Sequence, residues 1–245
     1  QAIGIAVDET TNYQLTVDQC KQYWQENTTV IMLASPANPT GMLISDAELQ
    51  GILNFASDNN GVVIVDEIYH GLTYDKPAKT ALTYTDNVFI INSFSKYFGM
   101  TGWRLGWLVA PECYIEAIDK LSQNIFLAAS TPAQYAALAA LEEESIKIFE
   151  DRKQRRDYLL PALRELGFSI PVIPQGAFYL YAGCDKFTDD SYAWANTLLE
   201  EVGVVITPGV DFGEYQSKTH VRFAYTTSLE KLKEGVKRLK IFIEK

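Results

Sequence analysis

Three short apolar runs, each stopping abruptly on polar residues, constrain this chain more than any other feature. Val-Ile-Met-Leu at 30–33 leads through Ala34 into Ser35-Pro36-Ala37-Asn38-Pro39-Thr40-Gly41. Val-Val-Ile-Val at 62–65 stops at Asp66-Glu67, and Val-Phe-Ile-Ile at 88–91 stops at Asn92-Ser93. Such runs, bounded by turn signals and separated by longer segments of helical period, predict parallel strands joined by helices. Ser45, with Glu48 three residues on, predicts a capping box at the start of the helix after the first strand. In open α/β sheets ligands sit beyond the carboxyl ends of the strands, so these three polar ends are expected to face one pocket.

The second half of the chain reads differently. Beyond Pro132, residues 133–141 are helical in composition, and the charged stretch 142–156 is expected to continue into a helix ending near Gly167, giving a long connecting helix. Short strands are expected at 177–181, 204–207 and 220–224, with helices at 192–202 and 228–243. The expected architecture is therefore an α/β, mostly parallel large domain over residues 1–146, followed by a small α+β C-terminal domain over 147–245. No internal repeat or low-complexity linker interrupts it.

Composition narrows the function classes. Asp and Glu number 31 against 21 Lys and Arg, a formal charge of -10, so neither a nucleic acid nor an anionic membrane surface is expected as a partner. Any anion must be held by a local site. Cys20, Cys113 and Cys184 form no CxxC pair and the only histidines are His70 and His220, which argues against a metal centre and against a disulfide framework. That pattern fits a reducing compartment, and with no membrane-length apolar stretch and no signal-peptide pattern a cytoplasmic location is expected. The chain opens on Gln1 and an apolar run at 2–7, as though part of a longer protein.

The chemistry concentrates after the third run. Asn92-Ser93-Phe94-Ser95-Lys96 delivers two hydroxyls and a lysine together, and Arg104 follows eight positions later. A partly desolvated lysine beside other cationic charge gives up its proton more readily and can form a Schiff base with an aldehyde. Ser93, Ser95 and Arg104 match the oxygens of a phosphate. The bland alternative is a surface Lys and Arg around a solvated turn. Asp66 could hold a pyridine-type nitrogen protonated, or simply cap a helix. The phenol of Tyr69 and the amide of Asn38 could reach a ring oxygen, or Tyr69 could be a packed aromatic. Arg222, within His220-Val221-Arg222-Phe223-Ala224, could bind a carboxylate bidentately, or lie exposed on its strand. His70 and His220 read as structural.

Taken together these segments resemble the class I and II aminotransferase family of fold-type I pyridoxal-phosphate (PLP) enzymes, the aspartate aminotransferase-like group, over nearly the whole chain. Residues 35–41 look like its NPTG loop, Asp66-Glu67-Ile68-Tyr69 like its D-x-x-Y strand end, and Ser93-Phe94-Ser95-Lys96 like its S-x-S-K motif. Thr101-Gly102-Trp103-Arg104-Leu105-Gly106 is similar to its phosphate-arginine segment and His220-Val221-Arg222-Phe223 to its carboxylate-arginine strand. Gly176-Ala177-Phe178-Tyr179 and Pro208-Gly209-Val210-Asp211-Phe212-Gly213 look like its small-domain motifs. The order and spacing agree.

The resemblance implies the PLP-transferase fold and transfer of an amino group from an L-amino acid to a 2-oxo acid through a Lys96 Schiff base. It further implies Asp66 on the ring nitrogen, Asn38 and Tyr69 on the ring hydroxyl, Ser93, Ser95 and Arg104 on the phosphate, Arg222 on the substrate α-carboxylate, and a homodimer. What it lacks is a beginning: family members carry roughly a further domain's worth of chain ahead of the position of Gln1, which puts the competence of this chain by itself in question. Rival expectations on the same scaffold are β-elimination, cyclisation of an activated methionine, and an aminotransferase-like sensor domain of a transcription regulator.

Overall fold

The apolar runs become strands for the reason their sequence suggests: β-branched residues between turn-formers fit a pleated surface. A computed structural model describes residues 1–142 and 152–245. In it β1 (Val30–Ala34), β2 (Val62–Asp66) and β3 (Val88–Ser93) pair in parallel in the order β1-β2-β3. The register sets Ala34 beside Asp66 and Asp66 beside Ile91, so the polar strand ends lie side by side. A fourth strand, β4 (Gly106–Val109), pairs antiparallel with β3, setting Ser93 opposite Gly106. This strand was not expected, because four residues opening on glycine carry little strand signal of their own. Residues 1–8, including the apolar run at 2–7, form no regular element.

One helix face covers this sheet. α1 (Val17–Tyr23) precedes β1, and α2 (Asp46–Asp58) follows it. Leu49, Ile52, Leu53 and Ala56 recur at helical spacing and are buried with Ile31, Leu33, Val63, Val65, Val88 and Ile90 in one core. The expected capping box is only half formed: Ser45 Oγ accepts from Glu48 N at 3.2 Å, but the Glu48 carboxylate accepts from Val17 N at 2.7 Å and so ties α2 to the start of α1. The complete box belongs to α1, between Thr16 and Gln19. The runs are apolar at every position, as suits strands buried on both faces. In this chain they are covered on one, and Met32 is 72% exposed on the other.

Beyond β4 come α3 (Ile115–Ile125), α4 (Thr131–Ala140) and α5 (Arg152–Glu165). The long connecting helix expected across 142–156, and the domain boundary expected at 146/147, fall largely or wholly on residues 143–151, outside the described residues. The second sheet has the order β5-β7-β6, all antiparallel: β5 (Tyr179–Gly183), β6 (Thr207–Pro208) and β7 (His220–Ala224). α6 (Ser191–Val202) and α7 (Leu229–Ile243) join α5 in covering it, with Leu159, Leu163, Leu180, Leu198, Val221, Phe223 and Leu239 in one core. One strand is displaced by two residues and one is shorter than expected. β5 begins at 179 because Ala177 adopts the left-handed conformation, with φ 57°, and β6 is confined to two residues after Gly203 ends α6 at φ 65°.

The two sheets are joined by backbone on backbone. Gln175 N and Gly176 N both donate to Gly41 O, at 3.0 and 2.9 Å, and Ala177 N donates to Leu72 O at 2.8 Å. Gly41 has φ +68°, and a Cβ there would lie 2.7 Å from Gly176 O and 2.8 Å from Pro174 Cβ. Only glycine allows this approach without something shifting. No helix of the described residues is long and apolar enough to cross a membrane, and all three cysteines are free.

Candidate active site

The polar residues at the three strand ends lie at one edge of the first sheet. Asp66 closes β2, and its Oδ1 accepts from Ile68 N at 3.0 Å. This local bond turns the chain but starts no helix, so Asp66 is not a helix cap; residues 68–71 form a turn instead. The turn sends Tyr69 inward, where it is 4% exposed and its hydroxyl lies 2.9 Å from that of Tyr179. Burial holds the Tyr69 phenol far above its ordinary pKa, so it keeps its proton throughout the physiological range.

Ser93 ends β3. Its Oγ accepts from Ser95 N at 3.0 Å and lies 2.9 Å from Ser95 Oγ and 3.1 Å from Leu105 O. Thr101 Oγ1 closes the same loop by donating to Ser95 O at 2.7 Å. Lys96 follows, half-buried, with its Nζ 6.0 Å from the centre of the Tyr69 ring. Arg104 stands apart: it is exposed, adopts φ 53°, donates to Thr101 O at 3.0 Å, and makes no hydrogen bond to Ser93 or Ser95 among the described residues.

From the second sheet comes Arg222 on β7. Val221 and Phe223 on either side of it are buried in the core, so period two turns Arg222 to the opposite face. There Nη1 donates to Asn38 Oδ1 at 2.8 Å and Nη2 to Thr207 Oγ1 at 3.1 Å. The guanidinium lies between two rings, its Cζ 4.3 Å from the centre of Tyr179 and 4.7 Å from that of Phe212. Its Nε is buried without a partner. Asn38 spends only its carbonyl on Arg222, which leaves the amide N–H groups free to donate.

Four residues expected from separate motifs are thus linked through Tyr179 in a chain of contacts, from Lys96 to Tyr69, to Tyr179, to Arg222, to Asn38. Asp66 and the Ser93–Ser95 pair lie at neighbouring strand ends. Tyr179, Thr207 and Phe212 were not expected at the site as individual residues. Tyr179 and Phe212 lie in segments singled out as small-domain motifs, but nothing local tells which of their side chains reach across to another strand.

A model of the aminotransferase class I and II family matches residues 1–239. The chain is 37% identical to the (5-formylfuran-3-yl)methyl phosphate transaminase of Methanocaldococcus jannaschii, over 94% of this chain and 62% of that protein. It is 35% identical to the aspartate aminotransferase of Pyrococcus abyssi, over 99% of this chain and 64% of that protein. The crystal structure of an aminotransferase from Mycobacterium tuberculosis is similar with a TM-score of 0.93 at 33% identity, over 99% of this chain and 64% of that one. The chain therefore spans just under two thirds of the length of these relatives.

Proposed function

This chain belongs to the aminotransferase class I and II family, with the architecture of the fold-type I PLP enzymes, and we propose that it carries the cofactor- and carboxylate-binding part of a PLP-dependent aminotransferase. The observation that carries the reading is the contact chain that joins Lys96 and Tyr69, near the first sheet, to Arg222 on the second.

The donor set fits the cofactor. A half-buried amine suits an aldehyde, a strand-end carboxylate suits a pyridine nitrogen, and a buried phenol with a free amide suits a ring oxygen. PLP, when bound, supplies an aldehyde for attachment and a ring that withdraws electrons from the substrate's α-carbon. Asp66 holds the proton on the ring nitrogen, and Tyr69 and Asn38 orient the ring oxygen. Ser93 and Ser95 bind phosphate oxygens, and Arg104 joins them by turning from Thr101 O. Arg222 takes the substrate α-carboxylate in a bidentate grip. Lys96 provides the attaching amine and then moves the α-proton.

The amino donor and the 2-oxo acid acceptor belong to the same reading; the two relatives above carry different substrate names at near-equal identity, so what comes to this chain is the transfer itself. A homodimer is carried over on family membership alone, and a cytoplasmic location on the cysteine pattern of the sequence. The test is the absorption spectrum of the 245-residue chain titrated with PLP. A Schiff-base band is expected in the unsubstituted chain and not in Lys96→Ala. A band of equal strength in Lys96→Ala would remove Lys96 from its role. Where turnover is measured, dependence on an added 2-oxo acid separates transfer from elimination.

A further inference from the structure

Tyr179 has no assigned part in the reading above, yet it touches both halves of the site. It is the first residue of β5 and is 4% exposed. Its hydroxyl meets Tyr69 at 2.9 Å, and its ring covers one face of the Arg222 guanidinium at 4.3 Å. We propose that Tyr179 is a positioning residue with two separable parts: its hydroxyl orients the Tyr69 phenol toward the cofactor ring oxygen, and its ring holds the Arg222 guanidinium flat for the substrate carboxylate. The proposal rests on the reading of the site given above.

The hydroxyl part follows from counting protons. Each phenol has one, and the 2.9 Å contact uses one of the two. If Tyr69 donated to Tyr179, it would have only lone pairs to offer an oxygen that carries negative charge. If Tyr179 donates, the Tyr69 proton is free for that oxygen. Among the described residues the Tyr179 hydroxyl has no other hydrogen-bond partner, so nothing competes for its proton. A charged acceptor at the end of the chain binds a donor about twice as strongly as a neutral one, which favours the order Tyr179 to Tyr69 to ring oxygen.

The ring part follows from how Arg222 is held. Two hydrogen bonds fix its terminal nitrogens, and Nε has no partner to fix the plane. The plane is set by the rings on its two faces, Tyr179 and Phe212.

Substitution separates the parts. In the PLP-loaded 245-residue chain, Tyr179→Phe keeps the ring and loses the hydroxyl, whereas Tyr179→Leu loses both. Two quantities are read: the pH midpoint of the Lys96-dependent band, and the affinity for propionate, a carboxylate with no amine. With weaker donation to the ring oxygen the Lys96 nitrogen keeps its proton to higher pH, so both variants should raise the midpoint, by a few tenths of a unit to about one unit. Propionate binding should stay within about twofold in Tyr179→Phe and weaken roughly 2- to 30-fold in Tyr179→Leu. An unmoved midpoint in Tyr179→Phe, or equal loss of propionate binding in both variants, overturns the proposal while leaving the site reading intact. If Tyr179→Leu does not fold, the midpoint in Tyr179→Phe still decides the hydroxyl part, and a loss of propionate binding beyond about twofold in Tyr179→Phe, which keeps the ring, overturns the separation of the two parts. Absence of any Lys96-dependent band in the unsubstituted chain overturns the reading of the site and this proposal with it.

Discussion

Glu67 sits one residue past the strand-end carboxylate and is 3% exposed, with Oε1 accepting from Ala81 N at 2.8 Å and Oε2 3.2 Å from His70 Nδ1. The spacing is that of an ion pair, but burial pushes His70 down to about 4 and pushes the Glu67 carboxyl up. At neutral pH the imidazole is therefore neutral, and the close contact is not an ion pair. The structural part expected of His70 from the sequence agrees with this, although its partner was not legible there. An unfolded histidine titrates near 6.5. Between that value and about 4 the folded chain binds fewer protons at His70 than the unfolded chain, so this residue's contribution is full above pH 6.5 and is lost as pH falls toward 4. Glu67, shifted upward, works in the opposite sense, which is why the comparison must isolate His70. Urea unfolding at pH 7 and at pH 4.5 should show His70→Gln losing less stability on acidification than the unsubstituted chain, by about 2 kcal/mol at most. Equal losses in both would mean that His70 does not titrate as described.

At the scale of elements, α2 carries the clearest sequence signal, since its cap, apolar stripe and length are all local properties. Ser45→Ala removes the acceptor for Glu48 N and should cost about 1 kcal/mol, read as a fall of roughly 2–4 °C in Tm. A Tm unchanged within error would show that water satisfies that N–H equally well. The other half of the expected box fails because a nearer donor is available: Val17 N at the start of α1 takes the Glu48 carboxylate. No spacing rule within 45–48 can reveal that competition. β4 was illegible for a related reason, as its stability comes from pairing with residues 90–93 and not from its own four residues.

For the molecule as a whole, the close approach of Gly41 and Gly176 sets how the two sheets stand to each other, and with it the meeting of Asn38 and Arg222. Gly41→Ala would place a Cβ against backbone at 2.7 Å in a left-handed conformation. The expected cost is about 1–3 kcal/mol of stability, together with weaker propionate binding at Arg222. Gly4→Ala, where a Cβ meets nothing within 4 Å, is the control and should stay within about 0.5 kcal/mol. Thermal unfolding of the two variants checks this, and similar Tm values for both would show that the junction relaxes at no cost.

What the sequence by itself determined is local: three strands that end in polar groups, the cap and stripe of α2, the alternation on β7, and side chains whose chemistry suits one cofactor. Those follow from periodicity, turn chemistry and residue type, which need no knowledge of distant contacts. Only the tertiary structure decided which of them meet. It set Arg222 on Asn38 across 184 positions, paired Tyr69 with Tyr179 across 110, and left Arg104 bonded within its own turn. Such pairings depend on how two packed cores are held together, and the backbone contact that holds these two, between residues 41 and 176, requires a shape that no neighbouring residue announces.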